Sequence, residues 1–438
     1  MSSAYKIGPL RATALVSSNM IGSGVLLAPA LLAPYGTMSL VGWVVTAGGA
    51  LALALVFARL SIWIPKSGGP YTFAKHVFGD FIGFQMAWGY WISAWCGSAS
   101  LLVGALQYMS VFCPSLIENS MFSIGFGCAM IWLFTFFNVR GLKESMFVEG
   151  IVVVVKILPL VLLGLAGIFF VDFSRVFNIA DIENHGLGSL GKMSGVLLWA
   201  FLGLESATIP AEDVENPRST IPLATVAGVL ITAAVYICGA IVINGVVPAE
   251  DLVASKAPYV DAARKIFGEW GAVFMIITGI VGIIGSLNGW ILIQGCVPLA
   301  AAREGIFPKY FLKTNRHGAP KGIVVGSLLM TAVFLLTHQS SLGKCVNLLI
   351  DISVLAMLLP YFYSVVAFGY LYINKKNTLS KRERFVLPIV GYVALAYAFA
   401  AIVGSGDSLI SLAFLMFLLS VPFYCLLNSS NIPRSDPS

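Results

Sequence analysis

Two apolar stretches of this chain are interrupted by residues that a lipid-buried helix tolerates poorly. Gly22-Ser23-Gly24 lies within Leu15–Leu32, and Gly203-Leu204-Glu205-Ser206-Ala207 closes the apolar run that starts at Val196. A helix broken in lipid leaves N–H and C=O groups unpaired, which costs several kcal/mol each unless something binds them. Paired breaks near the bilayer midplane are one way to build a solute site. Gly22 and Gly24 let the chain leave helical geometry and bring backbone N–H groups close to a ligand. At the positive end of a half-helix those groups suit a carboxylate, and Ser23 adds a hydroxyl donor. A lone glycine pair would read as a helix-packing motif; two breaks together favour a binding site.

Glu205 is costly in a membrane. Its carboxylate could attract an ammonium or take up a proton as a gate moves; the alternative is a structural ion pair or a capped helix end. Trp199 precedes it by six residues, and Trp290 sits in a second glycine-flanked stretch. Indole faces attract ammonium and guanidinium groups by about 2 kcal/mol when desolvated. Most membrane tryptophans are interface anchors, but these two lie mid-span. Lys156 also falls inside a span, where desolvation eases loss of its proton. It could carry a coupling proton or act as a charged strut against first-helix carbonyls. Asp351, two residues before Ser353, could add negative charge for a cation or pair with Lys344 or Lys156.

Composition says which elements must position these groups. Of 438 residues, 58% are hydrophobic and 11% charged, against about 25% charged in soluble domains. The chain therefore reads as an all-α integral membrane protein, with room for about a dozen helices at roughly 20 residues per span. The expected spans are 12–33, 39–62, 83–112, 122–138, 147–171, 192–210, 222–245, 270–297, 322–338, 344–373, 385–404 and 408–427. Breaks in spans 1 and 6 imply a five-plus-five inverted repeat within one transporter domain, 1–438. The first repeat is 1–171, the second 192–373, and two additional helices occupy 385–427. The first apolar segment lacks a small-residue cleavage site, so no cleaved leader is expected.

The formal charge is +6, but its placement argues against nucleic acid. Most lysines and arginines, among them Lys6, Arg59, Lys75, Arg140, Arg303, Lys321 and Arg384, fall on one side of the expected spans. The positive-inside bias puts both termini in the cytoplasm. The cysteines form no CxxC pair and read as buried small hydrophobes. The four histidines are scattered, so no metal site is expected. No Walker-type GxxxxGK[ST] and no nucleophile–base pair is present, so neither an enzyme nor a cofactor is expected.

Several stretches together resemble the amino acid–polyamine–organocation transporters. Asn19-Met20-Ile21-Gly22-Ser23-Gly24-Val25 is similar to their first helix, and Trp199-Ala200-Phe201-Leu202-Gly203-Leu204-Glu205-Ser206 to their sixth. Glu215-Asn216-Pro217-Arg218-Ser219-Thr220 resembles the following loop, and Pro65-Lys66-Ser67-Gly68-Gly69-Pro70-Tyr71 and Gly285-Ser286-Leu287-Asn288-Gly289-Trp290 add to the likeness. Within the superfamily the chain looks most like bacterial arginine/agmatine and related basic amino acid/polyamine antiporters. The resemblance implies a LeuT-like fold with broken helices 1 and 6, an inner-membrane location and a homodimer. It also implies a substrate site of Met20, Ser23, Gly24, Ser93, Ala94, Ser98, Leu101, Trp199, Ala200, Leu202, Trp290 and Ser353. Trp199 and Trp290 would stack on the substrate, while Tyr90 and Tyr361 would close the cytoplasmic side against Glu205. The arginine/agmatine pattern has asparagine, methionine and serine where this chain has Ser98, Leu101 and Ala200. Lys156 matches a lysine that some proton-coupled carriers of the superfamily place beside the first break, in place of a sodium ion.

The expected activity is exchange of a basic amino acid for its decarboxylated amine, with arginine/agmatine as the first candidate. A proton-coupled amino acid symporter is the alternative. A non-transporting amino acid sensor on the same fold is a third reading, which a long soluble tail would favour.

Overall fold

The computed structural model describes residues 6–140, 142–186, 188–338 and 342–429, and backbone alone at 23, 142–149, 151, 342–347, 408 and 428–429. Its long helices are α1 (Pro9–Met20), α2 (Ser23–Leu32), α3 (Thr37–Trp63), α4 (Asp80–Met109), α5 (Ser120–Val139), α6 (Leu142–Gly167) and α7 (Ser189–Phe201). They continue as α8 (Pro217–Val246), α9 (Pro258–Arg303), α10 (Gly322–Thr337), α11 (Leu342–Lys375), α12 (Lys381–Gly404) and α13 (Asp407–Ser429). Among the described residues there is no strand, only isolated bridges at Ile7–Val214 and Thr314–Pro320.

Nine of the described segments are long and apolar enough to cross a membrane. With the shorter α10, the interrupted α7 and the polar-striped α4, they make the twelve crossings expected from composition. α4 is less uniformly apolar because it turns Tyr90, Ser93, Ser98 and Ser100 inward, all of them buried. The first span, α1 and α2 together, lies in the core, with 82% of its apolar window buried; for α12 and α13 the figure is 17%. Those two helices sit at the periphery and present apolar faces to lipid. Cys238 and Cys425 are also exposed, unlike the buried role expected of them, because apolar side chains in a bilayer need no burial in protein.

Both breaks are present, but they differ in form. α1 ends at an extended Ile21, and α2 starts after Gly22 (φ −133°, ψ −151°). Gly22 therefore adopts a backbone open to any residue, and its lack of a side chain matters for close approach instead. The second break has no α-helical second half. After Phe201 the chain runs irregularly through 202–216, with 3₁₀ turns at Ser206–Thr208 and Ala211–Asp213, so the sixth span is shorter than expected. The eighth is longer: α9 begins at Pro258, a favoured first helical residue, and kinks at Gly268 (φ +71°). Beneath the breaks the chain before α1 zips onto the segment before α8. Ile7 N–H donates to Asp213 O (2.8 Å) and Glu215 N–H to Ile7 O (3.0 Å).

Gly203 holds φ +105°, and a Cβ there would lie 2.9 Å from Asn19 Cβ. The two breaks thus touch where only glycine fits. Gly203→Ala is expected to cost about 1–3 kcal/mol from backbone strain, with steric displacement of Asn19 in addition. Its thermal midpoint in detergent should fall clearly below wild type. Gly125→Ala, where nothing lies within 4 Å, should leave the midpoint unchanged.

Candidate functional site

The last turn of a helix leaves carbonyls without intrahelical partners. At the end of α1 each of them is met by a group from a distant part of the chain. Lys156 Nζ donates to Ser18 O and to Ser286 Oγ, the latter at 2.9 Å. Ser286 Oγ lies 2.9 Å from Ser18 O and 2.7 Å from Ile21 O. Trp290 Nε1–H reaches Asn19 O at 3.2 Å, and the Tyr236 hydroxyl reaches Met20 O at 2.8 Å. Asn19 Nδ2–H donates to Ser206 Oγ (2.9 Å), tying the first break to the second. Lys156 thus touches a carbonyl of α1, as either role expected of it requires, and is only 3% exposed.

At the second break the Tyr236 hydroxyl also lies 2.9 Å from Ala200 O. Glu205 is fully buried. Its Oε1 accepts from the Tyr90 hydroxyl (2.6 Å) and its Oε2 from the Tyr361 hydroxyl. Phe57 stands edge-on to the Tyr361 ring at 5.3 Å and holds it in place. None of the ion pairs among the described residues involves Glu205. A carboxylate clasped by two neutral phenols keeps its hydrogen bonds and gains no counter-charge, which leaves it sensitive to any cation or proton that approaches.

Between the breaks lies a cavity lined by Asn19, Met20, Gly22, Gly24, Ser93, Gly97, Leu101, Trp199, Leu202, Trp290 and Ser353. It measures about 20 Å³, room for about one water, so a larger solute requires its walls to part. Among the described residues no charged one lines it. Asn19 Oδ1 is buried without a hydrogen-bond partner, an orphaned acceptor on the cavity wall. The bare N-terminus of α2 opens at the same wall, with no side-chain cap at Gly22. Gly24 fits because a Cβ there would meet Ala200 Cα and Trp199 Cε3 at 3.2 Å.

Of the residues expected at the substrate site, Met20, Gly24, Ser93, Leu101, Trp199, Leu202, Trp290 and Ser353 line this cavity. Ala94, Ser98 and Ala200 are buried but do not. Ser98 Oγ bonds back to Ala94 O at 2.7 Å, and α4 presents the i, i+4, i+8 stripe Ser93, Gly97 and Leu101 instead. The Ser23 side chain lies outside the described residues. Tyr90, Tyr361 and Glu205 form a cluster of their own, outside the cavity wall. Lys156 stands behind the first break, in a separate crevice that shares Ile21 and Gly22. Asp351 is half-buried, absent from the cavity wall, and outside every ion pair and side-chain hydrogen bond among the described residues. Its proposed partner Lys156 is engaged at Ser18 and Ser286, and the Lys344 side chain lies outside the described residues. Four contributors escaped the sequence reading, the cavity-lining Asn19 among them. Gly97 lets Ser353 approach, since a Cβ there would meet Ser353 Oγ at 2.7 Å; Tyr236 and Ser286 serve backbone carbonyls far away in the chain.

A polytopic helical protein with two facing breaks around an indole-flanked cavity has an architecture that many secondary transporters share. Residues 7–432 match the amino acid permease family, and the chain belongs to that family, within the amino acid–polyamine–organocation superfamily. It is 34% identical over 436 residues to the cadaverine/lysine antiporter of Escherichia coli (strain K12), covering 97% of this chain and 95% of that one. It is 32% identical over 406 residues to the putrescine transporter PotE of Haemophilus influenzae, covering 92% of each. The E. coli (strain K12) putrescine transporter PotE is likewise 32% identical over 410 residues, covering 92% of this chain and 91% of that one. The chain is thus a multi-pass membrane transporter of small amine or amino acid solutes, not an enzyme.

Tyr90→Phe and Tyr361→Phe each strip one donor from a fully buried carboxylate and should each cost about 1–3 kcal/mol of unfolding free energy. Ser98→Ala removes only a local bond within one helix and should cost well under about 1 kcal/mol. Equal costs for all three, measured in the same micelles, would show that the carboxylate does not depend on its phenols.

Proposed function

We propose that the chain exchanges a basic amino acid for its decarboxylated amine across a bacterial inner membrane, with lysine and a short diamine as the preferred pair. The observation that carries this reading is the cavity itself. Two indole faces and an orphaned Asn19 acceptor await a cation, the α2 N-terminus awaits a carboxylate, and no protein cation competes. A mono-carboxylate with a distal ammonium uses all three features; a diamine uses the cation features alone. Of the positions that depart from the arginine/agmatine pattern only Leu101 lines the cavity, whose wall offers few in-plane acceptors for a guanidinium, and this favours a compact ammonium. The likeness to a cadaverine/lysine antiporter and to putrescine transporters supports the same choice. Arginine/agmatine exchange is the next candidate. The charge asymmetry supports cytoplasmic termini, and the family resemblance supports a homodimer.

Reconstituted protein should take up labelled lysine only when lysine or cadaverine is loaded inside the vesicles. Uptake into empty vesicles driven by a pH gradient alone would overturn exchange. Trp199→Leu and Trp290→Leu should each weaken calorimetric binding about tenfold or more, as expected from losing about 2 kcal/mol of cation–π attraction. The corresponding Phe variants should retain part of the affinity. Glu205→Gln mimics the neutral acid, so substrate should still bind while turnover falls and its pH dependence flattens; unchanged flux at every pH would remove Glu205 from the gate.

A second reading, proton-coupled symport, is favoured by one observation: Lys156 occupies the crevice behind the first break and bonds Ser18 O directly. Under symport, Lys156→Ala should abolish gradient-driven uptake and spare exchange of pre-loaded substrate. Under exchange, the variant should impair both binding and exchange by freeing the α1 carbonyls.

A further inference from the structure

Tyr236 is the one side chain among the described residues whose hydroxyl meets a backbone carbonyl at both breaks. Its oxygen lies 2.8 Å from Met20 O at the end of α1 and 2.9 Å from Ala200 O near the end of α7. A phenol has one proton to donate, so one carbonyl holds it fully or the two share it. The ring is fully buried and fixed on two sides, edge-on to Phe201 at 5.2 Å and tilted against Trp43 at 5.3 Å. Two turns earlier on α8, Gly228 lets α1 approach so closely that a Cβ there would sit 2.6 Å from Val16 Cγ1. α1 is thus held to α8 by close packing as well as by the hydroxyl, whereas α7 meets this point through Ala200 O and the Phe201 ring.

We infer that Tyr236 is a positioning residue that couples the two breaks, by passing one hydroxyl proton between their carbonyls as the half-helices move. When α7 shifts relative to α1, the hydroxyl stays with Met20 O and Ala200 O is released from its bond. The reverse shift frees Met20 O. Each carbonyl becomes available only while the other is bonded, so the ends of the two broken helices change partner together. Without the hydroxyl the ring still packs, but the carbonyls are orphaned independently.

Tyr236→Phe tests this, because it keeps the ring and its aromatic contacts. In the purified protein, amide hydrogen exchange over 21–25 and 202–206 should speed up at both segments by about tenfold or more, with α3 and α9 unchanged. In vesicles the maximal exchange rate should fall about tenfold or more while KM stays within about threefold, the signature of a lost conformational step. Faster exchange at one break alone, or a rise in KM at unchanged maximal rate, would overturn the coupling and leave Tyr236 as a local packing or binding residue. Wild-type protection at both breaks would overturn it as well. Only the kinetic arm rests on the exchange reading. A wild-type protein that moved no amine would refute that reading, and the amides would still decide the coupling.

Discussion

A helix that stops inside a bilayer strands carbonyls that water cannot reach, and the rest of this structure is arranged around meeting them. The carbonyls of Ser18, Ile21, Asn19 and Met20 are reached by Lys156, Ser286, Trp290 and Tyr236 respectively, which come from α6, α9, α9 and α8. None of these donors is near the break in sequence. The helices that surround α1 are therefore held in register by the need to satisfy it, since each unmet group would cost several kcal/mol. The same donors set the cavity: Trp290 spends its N–H on Asn19 O and turns its indole to the solute space.

The second constraint is electrostatic. Among the described residues the cavity wall carries no charge, the buried acid Glu205 is clasped by two phenols, and the buried Lys156 bonds Ser18 and Ser286. Fixed charges are thus separated from the solute by neutral groups. A cationic ligand entering such a space meets indole faces and carbonyl oxygens, whose attraction is strong when desolvated yet weak enough to release. A change in the charge of Glu205 would be felt by both phenols at low effective dielectric.

Much of this was legible in the chain. Gly22, Gly24 and Glu205 stand out because glycine and a carboxylate are poor choices in lipid, and Trp199 and Trp290 stand out mid-span. The helix starts were read less well: the spans were expected to open at 12, 222 and 270, whereas Pro9, Pro217 and Pro258 open the helices, in a first turn where Pro is favoured. What could not be read is equally physical. Tyr236 and Ser286 serve backbone carbonyls, which leave no trace in residue type. The choice between the 93/97/101 and 94/98 stripes on α4 depends on a rotation of the helix about its own axis, which the small and polar residues on both stripes leave undecided. The irregular path of 202–216 follows from Gly203 packing on Asn19, a contact between residues far apart in the chain.

The central claim is that the solute binds where the two breaks meet, by parting walls that are now closed to about 20 Å³. An experimental structure with lysine or cadaverine bound tests it most directly. Density for an ammonium-bearing chain between Trp199 and Trp290 is expected, with the Gly97–Ser353 approach opened and Asn19 Oδ1 newly bonded. Density lodged instead in the apolar cleft of Ile92, Trp95, Leu349 and Met416, with the cavity between the breaks unchanged, would contradict it.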